Sequence, residues 1–331
     1  VTAVLIPTSS ETEWLEARRQ GVTASEIAIL MGLSPYSSPY ALYHQKTGTL
    51  PPGDDAAMER GRDLEPVIGR KFAAAHPEIF IEGNGRELYA HSSRPWQLAT
   101  PDRCVWESDR HYAYHHEPVA VAEYKSDGGS DEWGEPGTDE IPVHYRCQVL
   151  WQMDVMGVHH AYVACLRIRD WKLLTYQLHM DDDARADLKL MRAEACDFLA
   201  RIGRQDPPDV DWRPATTSAL KGLYADVDED REVLIRRQLA ISYRAAQRRY
   251  KEAERRKDEM TNRILEAMGT AEYALDAGTR EKLATRSVSR PKRISTALVR
   301  ERYPHIATEC TPEPKPQVKL MPAKPKKDKT S

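Results

Sequence analysis

Between Thr100 and Lys125 the chain sets out an aspartate, a glutamate and a lysine in an order that suits hydrolysis of a phosphodiester. Thr100-Pro101-Asp102 comes first, and Ala122-Glu123-Tyr124-Lys125 follows after a short interval. Two carboxylates offer the oxygen ligands that a hard divalent cation such as magnesium requires. An ammonium beside them can polarise an attacking water and offset negative charge developing on the phosphoryl group. A Glu-x-Lys pair also occurs as a plain ion pair on an edge strand, so the motif alone leaves both readings open.

The surrounding residues must hold these groups. Val119 to Lys125 is short, apolar at its start and β-branched at Val119 and Val121, which reads as a strand. Alternation along a strand puts Glu123 and Lys125 on one face and turns Tyr124 to the other. A buried Glu and Lys are costly unless they pair, so that face must be a polar one.

Upstream, Ser10 to Gln20 reads as a helix, and Thr23-Ala24-Ser25 opens a second one that Gly32 ends. Ala41 to Thr47 is a third. Ala56 to Ala75 is a longer helix in which Pro66 predicts a kink or a second start near Leu64. From Ile79 to Lys125 the pattern is strand-like, with turns at Gly83-Asn84-Gly85 and around Arg110. Gly128 to Pro142 is a polar loop expected to be mobile. Val143 to Gly157 is a helix, Ala161–Leu166 and Lys172–His179 form a hairpin, and Asp181 to Ile202 is a helix with an acidic first turn.

Composition narrows the class. The 331 residues carry 48 basic and 51 acidic side chains, a nominal charge of −3, so bulk charge gives no sign of a nucleic-acid partner. The sequence has no apolar run long enough to span a bilayer and no basic-then-apolar secretory start, so no membrane association is expected. Five scattered cysteines without a Cys-x-x-Cys pair argue against a disulfide framework, a zinc site or an iron–sulfur cluster, and fit a reducing cytoplasm.

These patterns divide the chain into a mixed α/β domain over 1–202, a proline-marked linker over 203–228, a long charged helix over 229–268, a small unit over 269–310 and a disordered basic tail over 311–331. The long helix carries a weak apolar seam through Ile235, Leu239, Ala246, Tyr250, Ala253, Met260 and Ile264, with Ser242 and Lys257 interrupting it.

An ordered set of motifs adds a resemblance. Trp14-Leu15-Glu16-Ala17-Arg18, Gly21-Val22-Thr23-Ala24-Ser25, Gly61-Arg62-Asp63-Leu64-Glu65-Pro66, Thr100-Pro101-Asp102, Glu123-Tyr124-Lys125 and Tyr145 to Met153 follow one another as in the YqaJ-like viral recombinases, the family of the lambda exonuclease. The resemblance covers roughly residues 10–200. It implies the PD-(D/E)-x-K nuclease superfold, a mixed central sheet flanked by helices.

It also implies roles. Asp102 and Glu123 would bind the metal, with the Tyr124 backbone carbonyl as a further ligand and Glu65 reaching the same site from its helix. Lys125 would be the catalytic lysine, and Gln148 would orient it or the water. Arg18 and Ser25 would hold a 5′-phosphate, as would the hydroxyl of Thr100. The metal would be Mg2+, with Mn2+ as a substitute. The resemblance departs after Lys125, where Ser126-Asp127-Gly128-Gly129 offers no basic residue for a terminal phosphate.

The function implied is 5′→3′ digestion of duplex DNA ends in phage-type recombination, in the cytoplasm of a bacterial host. A single-strand annealing protein and a trimeric ring are the implied partners. A structure-specific or restriction-type endonuclease on the same fold is a second reading, and a catalytically silent DNA-binding scaffold a third.

Overall fold

The computed structural model describes residues 3–51, 56–107, 116–226, 228, 231–288 and 295–311. The chain divides into two compact units, Val1–Ala225 and Asp226–Ser331.

The first unit is built on two mixed sheets. The larger has strand order β3-β6-β7-β8-β9, formed by Phe80–Glu82 (β3), Arg103–Trp106 (β6), Ala120–Asp127 (β7), His160–Arg167 (β8) and Lys172–His179 (β9). β6 meets β7 antiparallel, β7 meets β8 parallel, and β8 and β9 form the expected hairpin. The crossover from β7 to its parallel neighbour contains helix α5, Val143–Met156. Gly157, in the left-handed region at φ 70, ends it.

The smaller sheet, β1-β4-β5-β2, comprises Ala3–Ile6, Leu88–His91, Arg94–Ala99 and Val22–Thr23. Its short outer strands, β1 and β2, are not evident in the sequence. β2 pairs parallel to β5, with Thr23 opposite Leu98.

Helices cover the large sheet. The main core gathers Val121 of β7, Val163 and Cys165 of β8, and Val149, Leu150 and Met153 of α5. It also takes Ile27 of α2 (Ala24–Leu30) and Leu188 of α6 (Asp182–Arg204). A second cluster holds Ala120, Ala122 and Tyr124 of β7 against Ile68 and Phe72 of α4 (Ala56–Ala75). β7 is therefore covered on both sides, as its apolar start requires.

Local rules account for the helix starts. Ser10 caps α1 (Glu11–Arg19) by accepting from the Glu13 N–H at 3.2 Å. Thr23 caps α2 in a reciprocal capping box with Glu26. Asp181 caps α6 through the Ala184 N–H at 2.7 Å.

Several expectations are corrected. α4 runs as one element from Ala56 to Ala75 with Pro66 inside it. The second start near Leu64 is not used, because burial of Ile68 and Phe72 outweighs the roughly 3 kcal/mol that an internal proline costs. Within 128–142 the Trp133 ring lies tilted 5.1 Å from that of Tyr176, whose hydroxyl donates to the Gly134 carbonyl at 3.1 Å.

The stretch 203–228 is more than a linker. Pro214–Leu223 forms α7, with Pro214 at the first helical turn, where its missing N–H costs nothing. It packs Ala219 and Leu220 on Tyr40 and Ala41 of α3 (Pro39–Lys46), and the Thr216 and Ser38 hydroxyls lie 2.7 Å apart.

The second unit holds a long helix, α8 (Arg237–Met268), the hairpin of β10 (Tyr273–Leu275) and β11 (Lys282–Thr285), and helices α9 (Thr296–Arg302) and α10 (Pro304–Glu309). α8 begins later than Glu229. The β-branched Val233 and Ile235 and the Leu between them lie outside it. All of the basic tail expected over 311–331 except residue 311 lies outside the described residues, as does the turn expected around Arg110. Among the described residues no helix is long and apolar enough to cross a membrane, and all five cysteines are free thiols.

Candidate active site

The site forms on the face of β7 that looks toward α5. Glu123 follows Val121 on that face, while Ala122 and Tyr124 point to α4. The antiparallel register with β6 pairs Arg103 with Ala122, so one step further sets Asp102 across from Glu123. The Asp102 carboxylate is anchored there, accepting from the Tyr124 N–H at 2.7 Å. Residues opposite each other on antiparallel strands share a face. Topology thus brings the two acids together from positions distant in sequence.

Glu123 is 2% exposed, and both its oxygens are engaged. One accepts from Lys125 Nζ at 2.5 Å and from Gln148 Nε2 at 2.5 Å. The other accepts from Gln152 Nε2 at 2.8 Å. Gln148 also accepts from Lys125 Nζ at 3.1 Å, closing a ring of hydrogen bonds. The Lys125 ammonium lies 4.8 Å from the centre of the Tyr145 ring.

The electrostatics follow from this crowding. Burial and then the neighbouring Glu123 carboxylate hold the Asp102 carboxyl well above its usual range. Glu65 adds to this, while Lys125 and the Tyr124 N–H pull it back. For Lys125 burial acts downward, but Glu123 and Asp102 outweigh it and keep the ammonium above the ordinary lysine value.

Glu65 arrives on α4 and is held by a different partner. Its carboxylate accepts from Arg103 Nη1 at 2.8 Å, and Arg103 also donates to the Asp102 carbonyl. The Asn84-Gly85 turn closes on it: a Cβ added at Gly85 would come within 2.9 Å of Glu65 Oε1. Arg103 and Gln152 join the cluster of expected site residues, and neither is among those the sequence singles out. Gln152 had a usable signal, since it lies four residues after Gln148 and so on the same helix face. Arg103 had none, being one basic residue among many.

The expected phosphate residues also assemble. Arg18 Nη2 donates to Ser25 Oγ at 3.2 Å and to Thr23 Oγ1 at 3.4 Å, and its guanidinium lies 4.3 Å over the Trp14 ring. Arg19 instead pairs with Glu16 at 3.2 Å. Beneath them Lys46 is buried, donating to the carbonyls of Arg18 at 2.6 Å and Gly21 at 2.7 Å and pairing with Glu26 at 2.7 Å. Thr100 follows β5 two residues after Leu98, the register partner of Thr23. Its hydroxyl is buried without a hydrogen-bond partner among the described residues.

Among the described residues, no three His, Cys, Asp or Glu side chains form a ready metal cage. The Asp102–Glu123 pair nevertheless fits a hard cation. Both offer oxygen ligands, and a divalent ion between them would offset the burial and the Glu123 charge that hold the Asp102 carboxyl above its usual range. Magnesium suits a site with few protein ligands, because it keeps water and phosphate oxygens in its shell.

Residues 13–159 match the model of the YqaJ-like viral recombinase domain. The chain is 24% identical over 306 residues to YqaJ of Bacillus subtilis (strain 168), covering 90% of this chain and 89% of that one. Among solved structures it is similar to LHK-Exo, an alkaline exonuclease from Laribacter hongkongensis. That match has 21% identity and a TM-score of 0.43, over 59% of this chain and 94% of that one. It is also similar to a phage-related exonuclease from Haemophilus somnus 129PT, with 11% identity and a TM-score of 0.38, over 56% of this chain and 96% of that one. Both acids, the lysine, both glutamines and the Arg18–Ser25 corner fall inside residues 13–159, the span that is similar to the YqaJ-like viral recombinase domain.

Proposed function

We propose that the chain is a deoxyribonuclease that degrades duplex DNA from its ends, 5′→3′, with Mg2+ held by Asp102 and Glu123. Residues 1–202 supply the catalytic domain. The observation that carries the reading is the ring formed by Glu123, Lys125 and Gln148 beside Asp102. A carboxylate, an ammonium and an amide are fixed at hydrogen-bond distance on one strand face, opposite a second carboxylate.

When bound, the cation supplies Lewis-acid stabilisation of the phosphoryl oxygens and a more acidic water. The protein's own groups do the rest. Gln148 and Gln152 lock Glu123 in one orientation, so that little reorganisation is needed as charge develops. Lys125 presents its ammonium toward the same space, where it can orient water and offset charge on the phosphoryl group. Arg18, Ser25 and Thr100 offer a guanidinium fork and two hydroxyls to a terminal phosphate. Release of the 3′-oxygen leaves a product with a 5′-phosphate. On the family resemblance, the exposed strand passes to a single-strand annealing protein and the nuclease works as a ring-shaped trimer in the bacterial cytoplasm.

Linear duplexes labelled at one terminus or the other, with and without magnesium, test the proposal. Magnesium-dependent loss of the 5′ label before the 3′ label is expected, with supercoiled circles left intact. Cleavage of circles would replace this reading with an endonuclease, and absence of cleavage with a DNA-binding scaffold.

A further inference from the structure

In the second unit, α8 presents an apolar stripe to solvent along its whole length. From Leu239 the spacing alternates four and three through Tyr243, Ala246, Tyr250 and Ala253, and continues in the same phase to Met260 and Ile264. This is the heptad pattern of a coiled-coil seam, with Tyr243 rather than Ser242 filling the second layer. The helix is 32 residues, about 48 Å at the usual rise. Its seam is uncovered: Leu239 is 61% and Tyr250 68% exposed. Only Met268, at its end, is buried.

Charge beside the seam selects the occupant. The flanking positions just before the seam residues Tyr250, Lys257 and Ile264 are Arg249, Arg256 and Arg263, while Glu254 lies on the opposite flank. In an antiparallel pair of identical helices the arginine flanks would face each other and repel. In a parallel, in-register pair Arg249 of one copy meets Glu254 of the other, and the relation is satisfied twice by symmetry. Lys257 falls within the seam, where its stem can pack and its ammonium reach water. One polar layer of this kind fixes register at some cost in stability.

We propose that α8 is a self-association surface, packing parallel and in register against α8 of a second copy of this chain. The proposal does not depend on the nuclease reading.

The test uses the full chain with Cys196 and Cys310 changed to serine, so that no exposed native thiol competes. Tyr250→Cys should form a symmetric intermolecular disulfide under mild oxidation, whereas Arg244→Cys, off the seam, should not. In the Tyr250→Cys background, Arg249→Glu should lower the yield of the α8 crosslink at least tenfold, and Arg249→Glu with Glu254→Arg should restore it. Failure of Tyr250→Cys to crosslink above Arg244→Cys, or a monomer throughout the concentration series, overturns the proposal. So does a double charge swap no better than the single one. Helical circular dichroism of each variant shows that a loss of association is not a loss of fold.

Discussion

Gln152 donates to the Glu123 oxygen that neither Lys125 nor Gln148 touches, at 2.8 Å, from a position one helical turn beyond Gln148. Glu123 is therefore gripped at both oxygens, and α5 supplies one amide to each. A carboxylate so buried would otherwise carry a large desolvation cost. Gln152→Ala should lower stability by about 1–3 kcal/mol, the usual cost of stranding a buried acceptor. It should also reduce kcat with little change in KM. Urea titration and steady-state digestion read the two effects separately, and wild-type kcat in this variant would remove Gln152 from the site.

Glu123→Ala should abolish digestion while leaving binding to duplex ends intact in a mobility-shift assay. Lys125→Ala should retain the fold and lose about 10²–10³-fold in kcat, the range seen when one preorganised charge-stabilising donor is removed. Robust activity in either variant would mean that the chemistry lies elsewhere.

Thr100 offers a case in which stability and function should part. Its buried hydroxyl has no hydrogen-bond partner among the described residues, so Thr100→Val should stabilise the free protein by about 1 kcal/mol. If the hydroxyl serves a terminal phosphate, the same change should raise KM for 5′-phosphorylated ends more than for 5′-hydroxyl ends. Arg18→Lys should show the same selectivity, because an ammonium cannot replace the planar fork. Thermal melts alongside digestion of the two substrates decide it.

Gly85 should tolerate no side chain. Its φ of +68 lies in the left-handed region, and a Cβ would press on Glu65. Gly85→Ala should cost about 1–2 kcal/mol from the backbone alone. It should also disturb the Glu65–Arg103 ion pair, and a melt identical to wild type would contradict this geometry.

His160 should make stability depend on pH. Burial, reinforced by His179 stacked 4.7 Å away, holds it below the usual imidazole value, while Gln177 acts in the opposite sense. Its folded value lies below its unfolded value of about 6.5, so the unfolded chain binds the extra proton between the two. The neutral ring's contribution is complete above about pH 6.5 and is lost as pH falls through the folded value. His160→Gln should flatten that part of the stability curve. His44, His91 and His144, also lowered by burial, should leave a residual slope.

Much of this was legible in the sequence. Glu123 and Lys125 declared themselves because a strand's two-residue period fixes which side chains share a face. Asp102 was found by residue type and family order, but its place opposite Glu123 depends on a strand register that no local pattern encodes. Gln152 was overlooked because a buried amide looks like any polar residue until its helix is docked. β1 and β2 are too short to show a period, and their existence depends on β4 and β5 beside them. Pro214 suits a linker and the first turn of α7 alike, since one residue type serves both purposes. The Arg18–Ser25 corner followed from family order, yet nothing in the sequence revealed the lysine beneath it.

That lysine shapes what the corner can do. Lys46 occupies the carbonyls at the end of α1 and fastens Glu26, so the loop from Arg18 to Thr23 is clamped before any substrate arrives. An incoming anion would meet a rigid socket, since Lys46, its charge matched by Glu26, acts as a clamp, and little of the energy of capture would go into moulding the loop. Ends should therefore be accepted or refused on first contact, by fit.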